Sequence, residues 1–296
     1  MASSNTHPPH IQEMLRNRQR DEITEYHIYR KLAEHLSEGN NRRVLMRIAE
    51  MEKRHYDTWK QYSGREVPPS RFKIALYTTL ARLFGITFAL RLMEMGEEKA
   101  QEEYRRLADY FPEASQVLQE EMEHEDALMA LINEEVLAYL GSVVLGLNDA
   151  LVELTGALAG LTFALQNGPL IALTGTITGV AAAFSMAVSE YLSTKAEKGE
   201  RQPIRAAVYT GIAYLLTVMV LIFPFLVLPN PYISLAVSLG LSLGVIAAFS
   251  FYRAVVYRES FRANFVEMAV LSLGVATISF VLGYVLREIF NIEVEV

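Results

Sequence analysis

Five long apolar stretches fill the second half of the chain, at about residues 137–166, 169–193, 205–228, 232–256 and 264–287. A helix needs about 20 apolar residues to cross a hydrocarbon core of roughly 30 Å, and each stretch reaches that length. The first half is of different material. Residues 1–135 hold 19 of the 27 Lys and Arg, 24 of the 34 Asp and Glu, and all six His. So steep a shift predicts an all-α chain in three parts: a polar tail over 1–13, a water-soluble helical domain over 14–135, and a membrane domain of five spans over 136–296. Residues 1–13 are polar, include Pro8-Pro9 and lack an apolar core, so no signal peptide is expected there.

Four helical stretches are legible in the polar half. Residues 14–37 end at Gly39-Asn40-Asn41, and residues 42–62 end at Ser63-Gly64. A third begins within 72–86 and runs to about Tyr110, and Pro112 opens the fourth. The second and fourth stretches each carry a Glu-x-x-His unit, Glu52/His55 and Glu121/His124. Three residues nearly complete a helical turn, so each carboxylate shares a face with its imidazole. The first stretch adds Glu22 and Glu25, the third Glu94 and Glu97, again three apart. Tyr29 and Tyr104 follow Glu22 and Glu97 by seven residues and can donate hydrogen bonds to ligating carboxylates. Two Glu-x-x-His helices plus acids on two further helices form the ligand pattern of a two-metal carboxylate site inside a four-helix bundle. Each Glu-x-x-His alone reads as a solvated helix face; two in register with other acids do not. The chain has no cysteine, so any metal must be held by oxygen and nitrogen, which suits Fe(II) or Mn(II). His27 and His35 read as surface or packing residues. Glu102, Glu103, Glu123, Glu125 and Asp126 read as solvent-facing.

On Glu22…Tyr29, Glu52-x-x-His55, Glu94-x-x-Glu97 and Glu121-x-x-His124, residues 14–135 resemble the rubrerythrin branch of the ferritin-like superfamily. The resemblance implies a ferritin-like four-helix bundle with a di-iron site. Glu22, Glu52, Glu94 or Glu97, and Glu121 would supply carboxylates, and His55 and His124 the terminal imidazoles. Glu25 would be an extra ligand. No rubredoxin-type cysteine cluster accompanies it.

Residues 72–92 are apolar for a soluble domain. Arg82 sits mid-run, and a charge at a bilayer centre is costly, so a spanning helix is not expected. An amphipathic segment, packed on the bundle or lying on a membrane surface, fits better.

Acids inside the apolar half are costly unless they have a partner or serve a pathway. The first span carries Asp149 and Glu153 one turn apart, the second Met186 and Glu190, the fifth Glu267. Glu190 and Glu267 read equally well as span-end residues. Lys195, Lys198, Arg201 and Arg205 crowd the second connection between spans, and Arg253, Arg258 and Arg262 the fourth. The positive-inside tendency makes these connections and the polar half cytoplasmic, with Glu293 and Glu295 outside. With a net charge of −7 and no basic stripe, no nucleic-acid partner is expected.

On Gly146-Leu147-Asn148-Asp149, Ser185-Met186 and Glu190-Tyr191, residues 138–290 look like the vacuolar iron transporter family. The likeness implies a homodimer that moves Fe(II), or Mn(II), out of the cytosol in exchange for protons, with Asp149 and Met186 on the route. Departures are Ala150 in place of the family's glycine after the aspartate, Thr178 where many members carry an acid, and a connection over 192–205 too short for the metal-gathering insertion of plant members. The two resemblances together describe the membrane-bound ferritins, prokaryotic iron exporters of the plasma membrane. A di-iron ferroxidase or peroxide reductase anchored in the membrane is the alternative, and a purely regulatory bundle a third reading. The fourth bundle helix is expected to run on into the first span.

Overall fold

The computed structural model describes residues 7–36, 39–95, 97–130, 134–197, 199 and 201–290; the side chains of 97–99, 125–127, 129–130, 134–138 and 290 fall outside that description. Among the described residues every regular element is a helix, eleven in all, and the chain divides into two compact units, Met1–Asn133 and Glu134–Val296.

The first unit holds α1 (Pro9–Glu34), α2 (Asn40–Ser63), α3 (Arg71–Phe84), α4 (Ile86–Glu94), α5 (Glu97–Leu107) and α6 (Glu113–Ala130). The two long helices α1 and α2 pack along each other; α3 and α5 lie on α1, and α6 lies on α2 and α5. Two apolar clusters hold them together. One gathers Ile28, Leu32, Leu45, Ile48, Leu90 and Met93, the other Ile11, Leu15, Trp59, Tyr104, Leu107 and Phe111. On α1, Glu22 falls between the residues that feed the two.

Two sequence expectations are corrected here. Helix α1 begins at Pro9, inside the expected tail, because Pro9 suits the first helical position and Ile11 and Leu15 complete an apolar face buried on Trp59 and Phe111. The single third stretch is instead α3, α4 and α5. Gly85 separates α3 from α4 with φ +90°, a backbone that breaks a helix and that a side chain resists. Gly64 closes α2 in the left-handed conformation, and the Ser70 hydroxyl caps α3 by accepting from the Lys73 amide.

The second unit holds α7 (Glu134–Leu165), α8 (Gly168–Ala196), α9 (Pro203–Val227), α10 (Pro231–Tyr257) and α11 (Phe261–Phe290). All five contain stretches long and apolar enough to cross a membrane, from 25 residues in α9 to 29 in α8 and α11, which makes this a multi-pass membrane protein. Pro169, Pro203 and Pro231 stand in the first turns of α8, α9 and α10, and the Asn167 and Asn230 side chains cap α8 and α10. Helix α7 is the hub, packed on the other four. Small residues let it approach its neighbours closely. A Cβ on Gly146 would stand 2.4 Å from the Thr210 carbonyl oxygen on α9, and one on Gly283 of α11 would stand 2.4 Å from the Gly160 oxygen on α7. Inside α9, Pro224 interrupts the helical ladder; Ser234 and Ser238 of α10 donate to the carbonyls of Pro224 and Leu221 at 3.2 and 2.8 Å. The expected run of the last bundle helix into the first span falls on residues 131–133, outside the described residues, as do Lys198, Glu293 and Glu295.

Candidate functional site

In the first unit, α1, α2 and α6 bring together Glu22, Glu52, His55, Glu121 and His124. The first two and both imidazoles are buried, from 1% to 4% exposed, in a domain whose other acids are mostly solvated. The i, i+3 spacing places each histidine beside the glutamate of its own helix, at 3.6 Å for His55 and Glu52 and 3.7 Å for His124 and Glu121. Across helices the contacts tighten. His55 Nδ1 stands 3.0 Å from Glu121 Oε1 and 3.5 Å from Glu22 Oε2, and His124 Nδ1 stands 3.2 Å from Glu52 Oε1. Glu52 and Glu121 therefore each turn one oxygen toward His55 and the other toward His124. The two rings stack at 5.6 Å between centroids.

The inward atoms crowd together without forming aligned hydrogen bonds. Glu22 Oε2, Glu52 Oε2, Glu121 Oε1 and the Nδ1 atoms of both histidines are buried without an aligned hydrogen-bond partner. Buried polar atoms left so are costly, and their convergence is the arrangement that a cation satisfies. Glu22, Glu52, His55 and Glu121 each offer a ligand atom within 4.8 Å of the others, and this buried cluster can hold a metal ion.

The outward atoms are secured. His55 Nε2 meets Glu120 Oε2 at 2.9 Å, and Gln116 steadies Glu120 at 2.8 Å. A ligating imidazole characteristically holds a carboxylate on its second nitrogen, which fixes the ring and its tautomer. His124 Nε2 meets Met51 Sδ at 3.3 Å. Glu22 Oε1 accepts from Trp59 Nε1 at 3.3 Å and from the Tyr104 hydroxyl, leaving Oε2 to face inward.

The site's charge balance follows. Burial raises the Glu52 carboxyl well above the usual carboxylate range, and the Glu121 charge adds to this. Burial would lower the His55 pKa, but the Glu121, Glu22 and Glu52 carboxylates more than offset it and hold the imidazolium well above its usual range. For Glu121 burial acts upward, but His124 and His55 prevail and hold it well below. Without a cation, protons on Glu52 and His55 offset part of the cluster's negative charge.

Other expected ligands lie elsewhere. Glu94 is buried but pairs with Arg91 at 3.0 Å on its own helix and is not brought into the cluster. The Glu97 side chain lies outside the described residues. Glu25, half-buried, lines two adjoining cavities with Arg18 and Asp21, and the smaller one reaches Glu22 and Glu121. Tyr29 is buried. Glu103, read as solvent-facing, is partly buried and pairs with Arg18 at 3.0 Å. The side chains of Glu125 and Asp126 lie outside the described residues. Sequence reasoning missed Glu120 and Trp59. Glu120 could have been found by asking which acid, one step from a Glu-x-x-His, faces the opposite histidine.

In the second unit, α7 presents Asp149 and Glu153 one turn apart. Their carboxyls interact, and the Tyr214 hydroxyl of α9 donates to Glu153 Oε2 at 3.0 Å. Met186 on α8 packs against the cluster containing Ala150, Leu154 and Tyr214. The neighbouring Asn148 keeps its side-chain oxygen buried and unpartnered. Glu190 is buried but differently placed: Ser142 donates to it at 2.6 Å, and Arg201 stands 3.7 Å away. Its surroundings are those of a paired span-end residue. Glu267 is exposed on α11.

Residues 140–201 match the model of the VIT family. The match runs through α7 and α8 and takes in Asp149, Glu153, Met186 and Glu190. No curated protein and no solved structure matches the chain.

Proposed function

We propose that this chain is a membrane transporter that exports Fe(II), with Mn(II) as the alternative cargo, from the cytosol in exchange for protons. Its first unit is then a ferritin-like, rubrerythrin-type module that binds metal and delivers or senses it. The observation that carries the reading is the VIT-family match across α7 and α8, the helices bearing Asp149, Glu153 and Met186. Carboxylates that trade a proton for a divalent ion couple the two flows, and the thioether adds a softer donor. The basic residues Lys195, Arg201 and Arg205 around the α8–α9 junction, and Arg253, Arg258 and Arg262 around the α10–α11 junction, favour a cytoplasmic first unit, and the family likeness favours a prokaryotic plasma membrane. A homodimer follows from the family likeness.

The first unit's donor set fits a two-metal centre. Glu22, Glu52, Glu121, His55 and His124 would hold the metal, with Glu120 steadying the His55 ring. Bound there, iron would supply redox chemistry. The chain's own part is to hold carboxylates in register, to fix the His55 ring through Glu120, and to release protons from Glu52 and His55 as cations arrive.

Purified protein in liposomes, offered Fe(II), Mn(II), Co(II) and Zn(II) with internal pH recorded, tests the reading. Fe(II) entry with opposite proton movement is expected, and no flux of any of these ions under any pH gradient refutes it. The shared orientation of Glu52 and Glu121 favours a second reading, a membrane-anchored ferroxidase or peroxide reductase. Rapid turnover with Fe(II) and O2 or H2O2 that survives Asp149→Ala and Met186→Ala would decide for it.

A further inference from the structure

Helix α3 is divided along its length. Ile74 and Ala81 turn inward onto the cluster of Ile28, Leu32 and Leu90, with Tyr77 packed beside them. The other side carries Phe72, Leu76 and Leu83, which are 75%, 39% and 70% exposed in the whole chain. On a 3.6-residue wheel Phe72, Leu76 and Leu83 fall within about 40° of one another, so they form one stripe along the helix. Single exposed apolar residues are ordinary, whereas a continuous stripe of large ones marks an interaction surface.

Charge identifies the partner. Within Arg71–Phe84 there are three basic residues, Arg71, Lys73 and Arg82, and no acid. Lys73 reaches Asp21 at 2.8 Å and Arg82 reaches His35 at 3.0 Å, while all three basic residues stay exposed at the flanks of the apolar stripe. An apolar stripe flanked by Lys and Arg is the pattern of a helix lying in a membrane interface, its apolar face sunk about 5–10 Å among headgroups. Crossing the bilayer is ruled out by the inward packing of Ile74 and Ala81. A symmetric contact between two copies of α3 would set basic residues against basic residues. The five membrane-capable helices of the same chain keep the first unit near lipid at high effective concentration.

We propose that the outward face of α3 docks in the interface of an anionic lipid surface, so that the first unit is held to the membrane by an in-plane helix as well as by the chain itself. The inference rests on the membrane-spanning character of the second unit and on nothing about metal.

The chain contains no cysteine, so single sites can be spin-labelled in the full-length protein. Phe72→Cys, Leu76→Cys and Leu83→Cys, with exposed Glu50→Cys on α2 as reference, are reconstituted in phosphatidylcholine vesicles with and without phosphatidylglycerol. The α3 labels should collide with oxygen but be shielded from a water-soluble nickel chelate, more so with phosphatidylglycerol, while the Glu50 label stays open to the chelate. Equal chelate access at all four sites overturns the proposal. So does shielding that persists in detergent with spin–spin broadening between copies, which would make the occupant a second chain. No metal enters the readout, so failure here is distinct from failure of the transport reading.

Discussion

Glu120 tests how the centre of the first unit is organised, because it touches no inward atom of the cluster. It holds His55 Nε2 at 2.9 Å while Nδ1 faces inward. Removing such a partner typically lowers metal affinity about 10–100-fold without removing a ligand. Glu120→Ala should show that weakening at unchanged stoichiometry, whereas Glu52→Ala should lower the number of ions bound. Trp59 provides the readout, being the chain's one tryptophan, fully buried and bonded to Glu22. Proton linkage gives a second prediction. Glu52 and His55 hold protons in the metal-free site, so Co(II) or Fe(II) binding in weak buffer should acidify the solution and tighten as pH rises. The raised His55 pKa stabilises the metal-free fold fully below about 6.5, and that contribution is lost as pH climbs through the raised value. The lowered Glu121 pKa contributes stability above 4.5, lost as pH falls toward about 2. Trp59-detected melting of metal-free protein should therefore fall as the solution is acidified below 4.5 toward about 2. The Glu-x-x-His pairs were legible because a helix's period fixes which residues share a face. Glu120 beside His55 and Arg201 beside Glu190 were not, because only the folded chain decides which residues from other segments arrive beside them.

Among the elements, the spans were the most legible, since apolar length alone defines them, and the third stretch of the polar half was the least. Its hydrophobicity and charge run on across Gly85, and nothing local shows that this glycine takes φ +90° and starts a new helix. Close helix approach was equally hidden, because a glycine in a span reads the same whether it faces lipid or a neighbour's backbone. The difference is measurable. Gly283→Ala would place a methyl group 2.4 Å from the Gly160 oxygen, and the forced separation of α7 and α11 should cost about 1–3 kcal/mol. Gly240→Ala, with nothing within 4 Å of the added carbon, should be neutral. Thermal-shift curves of the two variants in detergent should differ accordingly.

At the scale of the whole molecule, the two units can be read out separately. Asp149→Ala should abolish metal flux in liposomes while leaving the Trp59 response to metal intact. Glu52→Ala with His55→Ala should remove that response and change the iron concentration at which export begins, with the transport step preserved. Loss of flux in the second variant as complete as in the first would mean that the first unit is an obligatory stage of the route. The packing of the second unit constrains how such a step can happen. Helix α7 bears Asp149 and Glu153 and is locked to α9 at Gly146 and to α11 at Gly160, where backbones nearly touch. Sliding α7 would have to break both seams at once, whereas α8 meets α7 and α9 through side chains such as Leu158, Ile222 and Val218 standing against its glycines. On the proposed transport reading, α7 keeps Asp149 in place, and a change in which side of the bilayer reaches it is carried by the helices around α7.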